Sequence, residues 1–442
     1  MFSSQGMDKV FSAHNTVQRM LDVEAALARA LAAEDLIPRS AVSTIVAACD
    51  AGQFDLEVLR LAAGDAGNLA IPLVKQLTAI VAASDTEAAR HVHWGATSQD
   101  IIDTGLVLQL REALDLFSIE LAEFADALAG LAHRHRTTPV IGRTWMQHAL
   151  PISFGLKAAG WLDAVMRHQD RLAHLRESIA VLQFGGAAGS LASLGNQGLT
   201  VASALAHELE LHLPAMPWHG HHDRMAEAAT TLGLLTGTLG KIARDISLQA
   251  QTEVAELSEP SAEGRGGSST MPHKRNPVGC AAALTAAMRV PALVSTMLSG
   301  MVQEHERALG GWQAQWDTLP EIARLAAAAL TQLRKVIKGL QIDSDRMRTN
   351  IDMTQGLVMA EAVSLALARD LGRTAAHELV ESVCARAIAS GQPLKRIMQA
   401  DARILQCLSA EALDRLLDPQ NYLGEAAAFV DRVLAVHRQR KA

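Results

Sequence analysis

The chain has 442 residues, 49% of them hydrophobic, which is long enough for two or three domains around a large core. Aromatic residues make up only 3%, so alanine and leucine must supply most of that core, and this composition favours helices over sheets. A net charge of −7 argues against nucleic acid as the main partner.

The four cysteines are far apart, in segments rich in alanine and leucine, which is typical of buried free thiols in a reducing compartment. The first ten residues, MFSSQGMDKV, lack a basic region followed by an apolar run, and the chain has no run of eighteen apolar residues. We therefore expect a cytoplasmic protein with no membrane partner. The cysteines are Cys49, Cys280, Cys384 and Cys407.

The first predicted helix covers residues 14–35, where apolar residues follow helical spacing, and Pro38 is expected to end it. Helical pattern continues until a polar segment at residues 91–105. In that segment Thr97 and Ser98 can cap the following helix, which places hydroxyl and N–H groups at its positive end. Spacing alone favours an ordinary N-cap over an anion-binding site.

Long helices are predicted on both sides of a polar break at residues 137–155. A third long helix, residues 232–257, has the clearest periodicity in the chain. Helices of this length normally pack along others in a bundle or cross a subunit interface. We therefore predict an all-α fold.

Two sequence patterns resemble ligand sites, but neither has the residue spacing that such a site requires. The glycine-rich run of residues 185–195 lacks the spacing of a phosphate loop and follows a helix, so we expect a close-packed connection. Four histidines lack thiolates or carboxylates at ligand spacing, so we expect no metal. They are His212, His219, His221 and His222.

A long polar segment, residues 258–277, separates two predicted helices and reads SEPSAEGRGGSSTMPHKRNP. A loop of this length within a compact domain is usually a functional lid or a disordered linker. Met271 and three prolines interrupt it, whereas a linker would be uniformly polar and repetitive. A functional lid is therefore favoured.

The residues of this loop can bind an anion and move a proton. Gly266 and Gly267 allow a tight turn and a close approach of the backbone to a ligand. Ser268 is a candidate nucleophile or base, because Lys274 and oriented N–H groups would stabilise its alkoxide. Asn276 adds an amide donor. The alternative is a serine and glycine hinge with solvated charges.

The stretch GSSTMPHKRNP, residues 267–277, resembles the signature loop of the fumarase/aspartase superfamily, which fixes Ser, Ser, Met, Pro, Lys, Asn and Pro together. The resemblance implies that Ser268 is the base that handles a proton on the carbon next to a carboxylate. Lys274 and Asn276 match the lysine and asparagine of that loop, so the resemblance assigns Lys274 to catalysis and Asn276 to substrate binding.

The stretch HWGATSQD, residues 93–100, resembles the first signature region of the superfamily, in which a Thr-Ser pair binds a substrate carboxylate and a histidine lies close by. The resemblance therefore assigns substrate binding to His93, Thr97 and Ser98. This shifts the balance from an ordinary N-cap towards an anion-binding site.

The break at residues 137–155 matches the second signature region, with one departure. Many members carry a histidine directly after the threonine as general acid, but here Trp145 follows Thr144. His148 is then the nearest titratable group, and its titration range suits proton transfer. A structural histidine that bonds the backbone of the next helix is an equally weighted alternative. Thr144, Trp145 and Gln147 are predicted to line the substrate site.

The stretch HERALGGWQAQWDTLPEI, residues 305–322, is predicted to form a ligand wall that includes Arg307. Adenylosuccinate lyases carry serine and arginine here to hold a nucleotide phosphate, whereas this chain has Trp312, Gln313 and Trp316. The stretch instead resembles the cycloisomerase branch of the superfamily, which implies a small tricarboxylate substrate. A lyase that acts on a succinyl adduct such as adenylosuccinate is the alternative.

The resemblance covers essentially the whole chain and implies an all-α, three-domain fold with a central long-helix bundle. The predicted domains are residues 1–103, 104–350 and 351–442. The resemblance also implies a homotetramer with each active site built from three subunits, and no cofactor. The remaining alternative, a helical scaffold without activity, is disfavoured by the intact Ser268 and Lys274.

Overall fold

The computed structural model describes residues 4–261, 266–267, 270–271 and 273–441, and it is predominantly helical, as composition predicted. The helices α1 to α19 are Gln5–Val10, Ala13–Ala33, Arg39–Ala48, Leu56–Ala66, Ala70–Ser84, Thr86–Ala89, Ser98–Arg134, Phe154–Ile179, Gly198–Glu208, Asp223–Gln249, Val278–Ser299, Gly311–Gly339, Ser344–Asp352, Ala360–Leu371, Arg373–Ser390, Leu394–Gln399, Ala402–Leu405, Ala410–Leu416 and Ala426–Gln439. The strands β1 to β4 are Pro139–Thr144, Gln147–Ser153, Leu257–Ser258 and Gln341–Ile342.

Helix α2 shows how local chemistry sets the helix ends. Its N-cap, Ser12, accepts the backbone N–H of Asn15 through its hydroxyl at 3.2 Å. At the other end Leu36 donates its N–H to the carbonyl of Leu31, and Asp35 adopts a φ of 56°, which together form a Schellman motif. The helix therefore ends before Pro38, which was expected to terminate it and instead precedes α3.

Helix α10 covers Asp223–Gln249, so the prediction of helix up to residue 257 was wrong at its C-terminal end. After Gln249 the chain turns, and Ala255 adopts a φ of 52°. The next residue, Glu256, is fully buried and has ionic partners outside the helix. The helix ends although the apolar pattern continues, because the buried carboxylate of Glu256 must reach its ionic partner. A buried carboxylate without a partner would be costly.

The chain divides into two compact units. The first unit contains Met1–Leu121, His168–Gly240 and Ala282–Thr331, and the second contains Ala122–Arg167, Lys241–Ala281 and Gln332–Ala442. The division falls inside long helices such as α7 and α12. The three-domain division expected from the sequence remains a prediction.

In the first unit, α2 buries one apolar face against α3 and α9. In the second unit, β1 and β2 form an antiparallel hairpin, and β3 pairs with β4. A separate apolar cluster between Val363 and Leu413 joins the short helices near the C-terminus. No disulfide joins the four cysteines, although Cys384 and Cys407 are only half-buried.

Candidate active site

Thr97 and Ser98 lie at the N-terminus of α7, where the sequence predicted a cap. The carboxylate of Asp100 accepts the backbone N–H of Thr97 at 3.0 Å, which is the return bond of a capping box. The hydroxyls of Thr97 and Ser98 form no hydrogen bond with the part of the chain that the structure describes. They are therefore available to an anion at the positive end of a 37-residue helix.

The carboxylate of Asp100 also holds two more distant segments of the first unit. It accepts the backbone N–H groups of Gly185 at 2.9 Å and Gly186 at 3.0 Å, and Nε2 of His219 lies 2.7 Å away. An added Cβ at Gly185 would lie 2.8 Å from the His219 ring, so this connection is close-packed, as predicted. Its N–H groups bind a side chain of the protein itself.

Two of the four histidines considered for metal binding, His219 and His222, have side-chain hydrogen-bond partners inside the first unit. His222 is buried, and its Nδ1 lies 2.6 Å from Oε1 of Gln315. Burial disfavours the charged ring, but the hydrogen bond and charge of Asp103 outweigh burial and raise the pKa of His222. No group of three or more potential metal ligands occurs among the described residues.

His93 is the third residue that the first signature region assigned to substrate binding. Its Nδ1 lies 2.6 Å from the buried carboxylate of Glu24 on α2. Burial again disfavours the charged ring, but the charge and hydrogen bond of Glu24 outweigh it and raise the pKa of His93. In the loop that joins His93 to Thr97, Gly95 has a φ of 82°, and a Cβ there would lie 2.5 Å from Leu194. This loop therefore requires glycine at position 95.

Arg307 lies in the loop before α12 and is half-buried. Its Nε donates to Oε1 of Gln99 at 3.0 Å, and its Nη2 donates to the carbonyl of Ala187 at 3.1 Å. Gln99 and Asp100 are consecutive residues of the first turn of α7. One helical turn therefore holds both the positive N-terminus of α7 and a cationic side chain.

Trp312 and Gln313 lie in the first turn of α12, within the predicted ligand wall. The indole N–H of Trp312 donates to the carboxylate of Asp103 at 2.8 Å, and the residue is only 4% exposed. The side-chain oxygen of Gln313 accepts the N–H of Gly310 at 2.9 Å. Trp316 packs edge-to-face against Trp312, with ring centroids 4.9 Å apart. The contact of Trp312 and Gln313 with substrate remains a prediction.

The second unit presents Trp145 at the tip of a β-hairpin, where the sequence indicated only a polar break. Thr144 pairs with Gln147, and the two turn residues, Trp145 and Met146, have φ values of 52° and 65°. Asparagine and glycine normally occupy such a turn, because larger side chains are strained at positive φ. Trp145 is 97% exposed and Met146 is 73% exposed. A strained, exposed turn of this kind is consistent with the predicted place of Trp145 in the substrate site, which remains a prediction.

His148 lies opposite Arg143 in the hairpin. Burial and then the charge of Arg143 lower the pKa of His148, so the ring is neutral at pH 7. Its Nδ1 is buried and has no hydrogen-bond partner among the described residues. This nitrogen does not form the backbone bond that a structural role would require.

Behind His148, Arg143 forms an ion pair with Glu256, and Asn350 donates its amide to the same carboxylate at 2.9 Å. Glu256 is fully buried. These bonds satisfy the carboxylate inside the second unit and hold the hairpin close to its tip.

Glu259 joins the start of the long polar segment, residues 258–277, to the helix that follows it. Its carboxylate accepts the backbone N–H groups of Gly279 at 3.0 Å and Cys280 at 2.8 Å, so an anion of the protein itself occupies the N-terminus of α11. Within the loop, Gly266 has a φ of 68° and accepts the N–H of Asn276 at 2.8 Å. A Cβ at Gly266 would lie 2.7 Å from the Asn276 carbonyl, which explains the need for glycine.

Lys274 is exposed, and its backbone N–H bonds the carbonyl of Met271 at 3.0 Å. Ser268, the predicted base, lies outside the described residues, so its role remains a prediction.

The predicted site residues form one set in each unit. The first unit holds His93, Thr97, Ser98, Arg307, Trp312 and Gln313, and the second holds Thr144, Trp145, Gln147, His148, Lys274 and Asn276. Sequence reasoning missed the buried groups that support them, namely Gln99, Asp100, Asp103 and Glu256. The only signal was polar residues spaced three or four apart at the start of α7, which a solvated helix face shows equally well.

Known proteins resemble this chain from end to end. A family model described as lyase matches residues 3–292, and one described as adenylosuccinate lyase C-terminus matches residues 356–433. A 3-carboxy-cis,cis-muconate cycloisomerase of Pseudomonas aeruginosa is 55% identical over 436 residues, which cover 99% of this chain and 95% of the relative. One of Bradyrhizobium diazoefficiens is 51% identical, with 98% and 96% covered. The crystal structure of 3-carboxy-cis,cis-muconate lactonizing enzyme from Pseudomonas putida has a TM-score of 0.96 and 51% identity, covering 100% of this chain and 98% of that one.

Proposed function

The chain belongs to the lyase family of the fumarase/aspartase superfamily, and we infer that it is an enzyme that converts 3-carboxy-cis,cis-muconate to 4-carboxymuconolactone. The observation that carries this inference is the match of more than 50% identity, over almost the full length, to relatives with that activity. The reaction belongs to protocatechuate breakdown through β-ketoadipate.

In this reaction an oxygen of one substrate carboxylate attacks one carbon of a double bond and closes a lactone ring. The electron pair of the double bond moves to the neighbouring carbon and into its carboxylate, which becomes an aci-carboxylate. That carbon then takes a proton. The enzyme must therefore hold concentrated negative charge and deliver one proton to carbon.

We assign carboxylate binding in the first unit to Thr97, Ser98 and Arg307. The free hydroxyls at the N-terminus of α7 and the half-buried guanidinium support this assignment. In the second unit we assign carboxylate binding to Lys274 and Asn276, and proton transfer at carbon to Ser268. The family signature supports these three roles.

We propose that the reaction needs no strong general acid at the hairpin. Read backwards, the leaving group of the elimination is a carboxylate, which is stable as an anion without protonation. This makes Trp145 acceptable where many superfamily members have histidine. His148, three residues after Trp145, has a neutral ring that is able to exchange a proton.

The second candidate is an adenylosuccinate-type elimination that releases fumarate, and the match of residues 356–433 to the adenylosuccinate lyase C-terminus favours it. Against it stand Trp145 at the position of the general acid and Trp312, Gln313 and Trp316 where that enzyme holds a phosphate. We therefore retain the cycloisomerisation.

We also propose a cytoplasmic homotetramer with shared active sites. Helix α11 is long and apolar, and only 33% of its most apolar 18-residue stretch is buried within the chain. On this helix the residue Met288 is 78% exposed to solvent and Leu298 is 47% exposed. An exposed apolar face of this kind fits packing against further copies of the chain.

The test follows the ultraviolet absorbance of the conjugated diene after purified protein is mixed with 3-carboxy-cis,cis-muconate. We expect rapid loss with wild type and almost none with Ser268→Ala. Fumarate release from adenylosuccinate, with no loss of diene absorbance, would establish the second candidate instead.

A further inference from the structure

We propose that Gln99 is a positioning residue that orients Arg307 towards a substrate carboxylate. Gln99 is completely buried in the first turn of α7, and its side-chain oxygen accepts the Nε–H of Arg307 at 3.0 Å. The proposal rests on the proposed function, because it assumes that Arg307 binds a carboxylate of the substrate.

The orientation of the Gln99 amide follows from the chemistry around it. Its Nε2 lies 2.9 Å from the carboxylate of Asp103 and 2.9 Å from the carbonyl of His219. Both of these groups can only accept hydrogen bonds, so the NH2 group must face them. The oxygen must then face Arg307, which can only donate. The amide therefore has a single arrangement that satisfies Asp103, the carbonyl of His219 and Arg307.

The same bonds fix which edge of Arg307 is open to a ligand. Nε is occupied by Gln99, and one N–H of Nη2 is occupied by the carbonyl of Ala187 at 3.1 Å. The edge formed by Nη1 and the remaining N–H of Nη2 is left as a pair of parallel donors. Such a pair matches a carboxylate in two-bond geometry.

Gln99 also sets the position of Arg307 relative to the anion-binding end of α7, because it directly follows Ser98. A long arginine side chain loses substantial conformational freedom when it is held in one geometry. If two of its donors are already bound in the free enzyme, less of that loss accompanies substrate binding. The expected benefit is tighter substrate binding, and therefore a lower KM.

The test compares Gln99→Leu, Arg307→Ala and the double variant by steady-state kinetics with 3-carboxy-cis,cis-muconate. Gln99→Leu is expected to raise KM about tenfold, the size expected for a lost hydrogen bond to a charged group, with a smaller change in kcat. In the Arg307→Ala background the same substitution should leave KM unchanged. An equal rise in KM in both backgrounds would overturn the proposal.

Two further variants separate positioning from general stability. Gln109→Leu removes another buried glutamine of α7, whose amide donates to the carbonyl of Val10 at 2.7 Å, and it should not change KM. Gln99→Glu keeps the oxygen that accepts from Arg307 and should retain KM within about twofold, at a cost in stability from its contact with Asp103. A rise in KM for Gln109→Leu as large as that for Gln99→Leu would contradict the proposal.

A crystal structure of Gln99→Leu gives a readout that needs no substrate. A displaced or disordered Arg307 guanidinium supports the proposal, and a guanidinium in its original place refutes it. If wild type does not convert 3-carboxy-cis,cis-muconate, the proposed function fails while this structural result still decides the positioning role.

Discussion

Arg143 and Glu256 form an ion pair through two hydrogen bonds, with Nη1 2.9 Å from Oε2 and Nη2 2.6 Å from Oε1. Arg143 lies two residues before Trp145 in the hairpin, and Glu256 lies two residues before Ser258, where the long polar segment of residues 258–277 begins. Within the second unit, one ion pair therefore links the hairpin, close to its tip, to the residues that precede the long polar segment.

Glu256→Gln is expected to lower stability strongly, because it leaves the Arg143 guanidinium without its buried counter-charge. Breaking one side of a buried ion pair typically costs about 3 kcal/mol or more, and Arg143 is still partly solvated, so we expect a loss of about 3 kcal/mol. The measurement is unfolding by urea, followed by circular dichroism. The control is Glu57→Gln, which breaks the exposed pair with Arg60 and should leave the unfolding midpoint unchanged. Equal midpoints for the two variants would refute the structural role of Glu256.

Asp100→Asn should impair substrate binding and stability together. The carboxylate of Asp100 accepts the N–H groups of Thr97, Gly185 and Gly186 and lies against His219, whereas an asparagine offers one oxygen and turns an NH2 group towards these donors. We expect KM to rise at least tenfold, since the loop before α7 loses its anchor.

Asp85→Asn is the matched control for this substitution, because Asp85 caps α6 by accepting the N–H groups of Glu87 and Ala88. Asparagine caps a helix as well as aspartate does, so kinetics and unfolding should be close to wild type. An Asp100→Asn variant with wild-type KM would mean that the carboxylate does not organise the substrate site.

The pair of His93 and Glu24 predicts how stability depends on pH. Because the folded state raises the pKa of His93, the pair stabilises the protein fully below the ordinary histidine pKa of about 6.5, and this contribution is lost as pH rises through the raised value. The free energy of unfolding of wild type minus that of His93→Asn should therefore shrink as the pH rises above the ordinary histidine pKa of about 6.5. Asparagine is the suitable replacement, because His93 has a φ of 59°, which asparagine tolerates. A constant difference as the pH rises would show that His93 is not charged in the folded protein.

The sequence predicts a helical element best where one face is continuously apolar, as in α2, whose predicted range of 14–35 lies close to the observed Ala13–Ala33. It fails where a polar side chain finds a distant partner. The buried Glu256 lies just beyond the true end of α10, and nothing in the periodicity of residues 232–257 signals Arg143, which lies more than 100 positions earlier in the chain.

In the candidate site, too, the sequence reveals local patterns but not contacts between distant residues. Motif residues such as Thr97 and Lys274 are recognisable because their pattern is local, whereas Gln99 bonds His219 and Arg307, which are more than 100 positions away in the chain. The hairpin was missed because Trp145 and Met146 occupy a turn that normally takes asparagine and glycine. A strained turn carries no local propensity signal, since its conformation is imposed by the rest of the structure.

Trp145→His tests whether the hairpin tip needs a general acid. We expect diene loss to remain below the wild-type rate, because the leaving carboxylate needs no proton and the smaller ring removes apolar contact area. Initial rates with 3-carboxy-cis,cis-muconate across pH 6 to 9 provide the measurement, and Met146→Gly, which should relieve strain at the adjacent position, serves as the control for the turn. A clear gain in rate for Trp145→His would show that proton donation at this position limits the reaction.

Gly95→Ala should disturb the loop that joins His93 to Thr97. Gly95 has a φ of 82°, and the added Cβ would lie 2.5 Å from Cδ2 of Leu194, so either the loop or Leu194 must move. Gly189→Ala provides a matched control, because Gly189 has a φ of 84° but no atom within 4 Å of the added Cβ. The control isolates the cost of positive φ, about 1 kcal/mol, and should keep wild-type KM. Gly95→Ala should unfold at a lower urea concentration than Gly189→Ala and raise KM several-fold, because Thr97 shifts with the loop. If the two variants behave alike in both measurements, the contact with Leu194 does not position the N-terminus of α7.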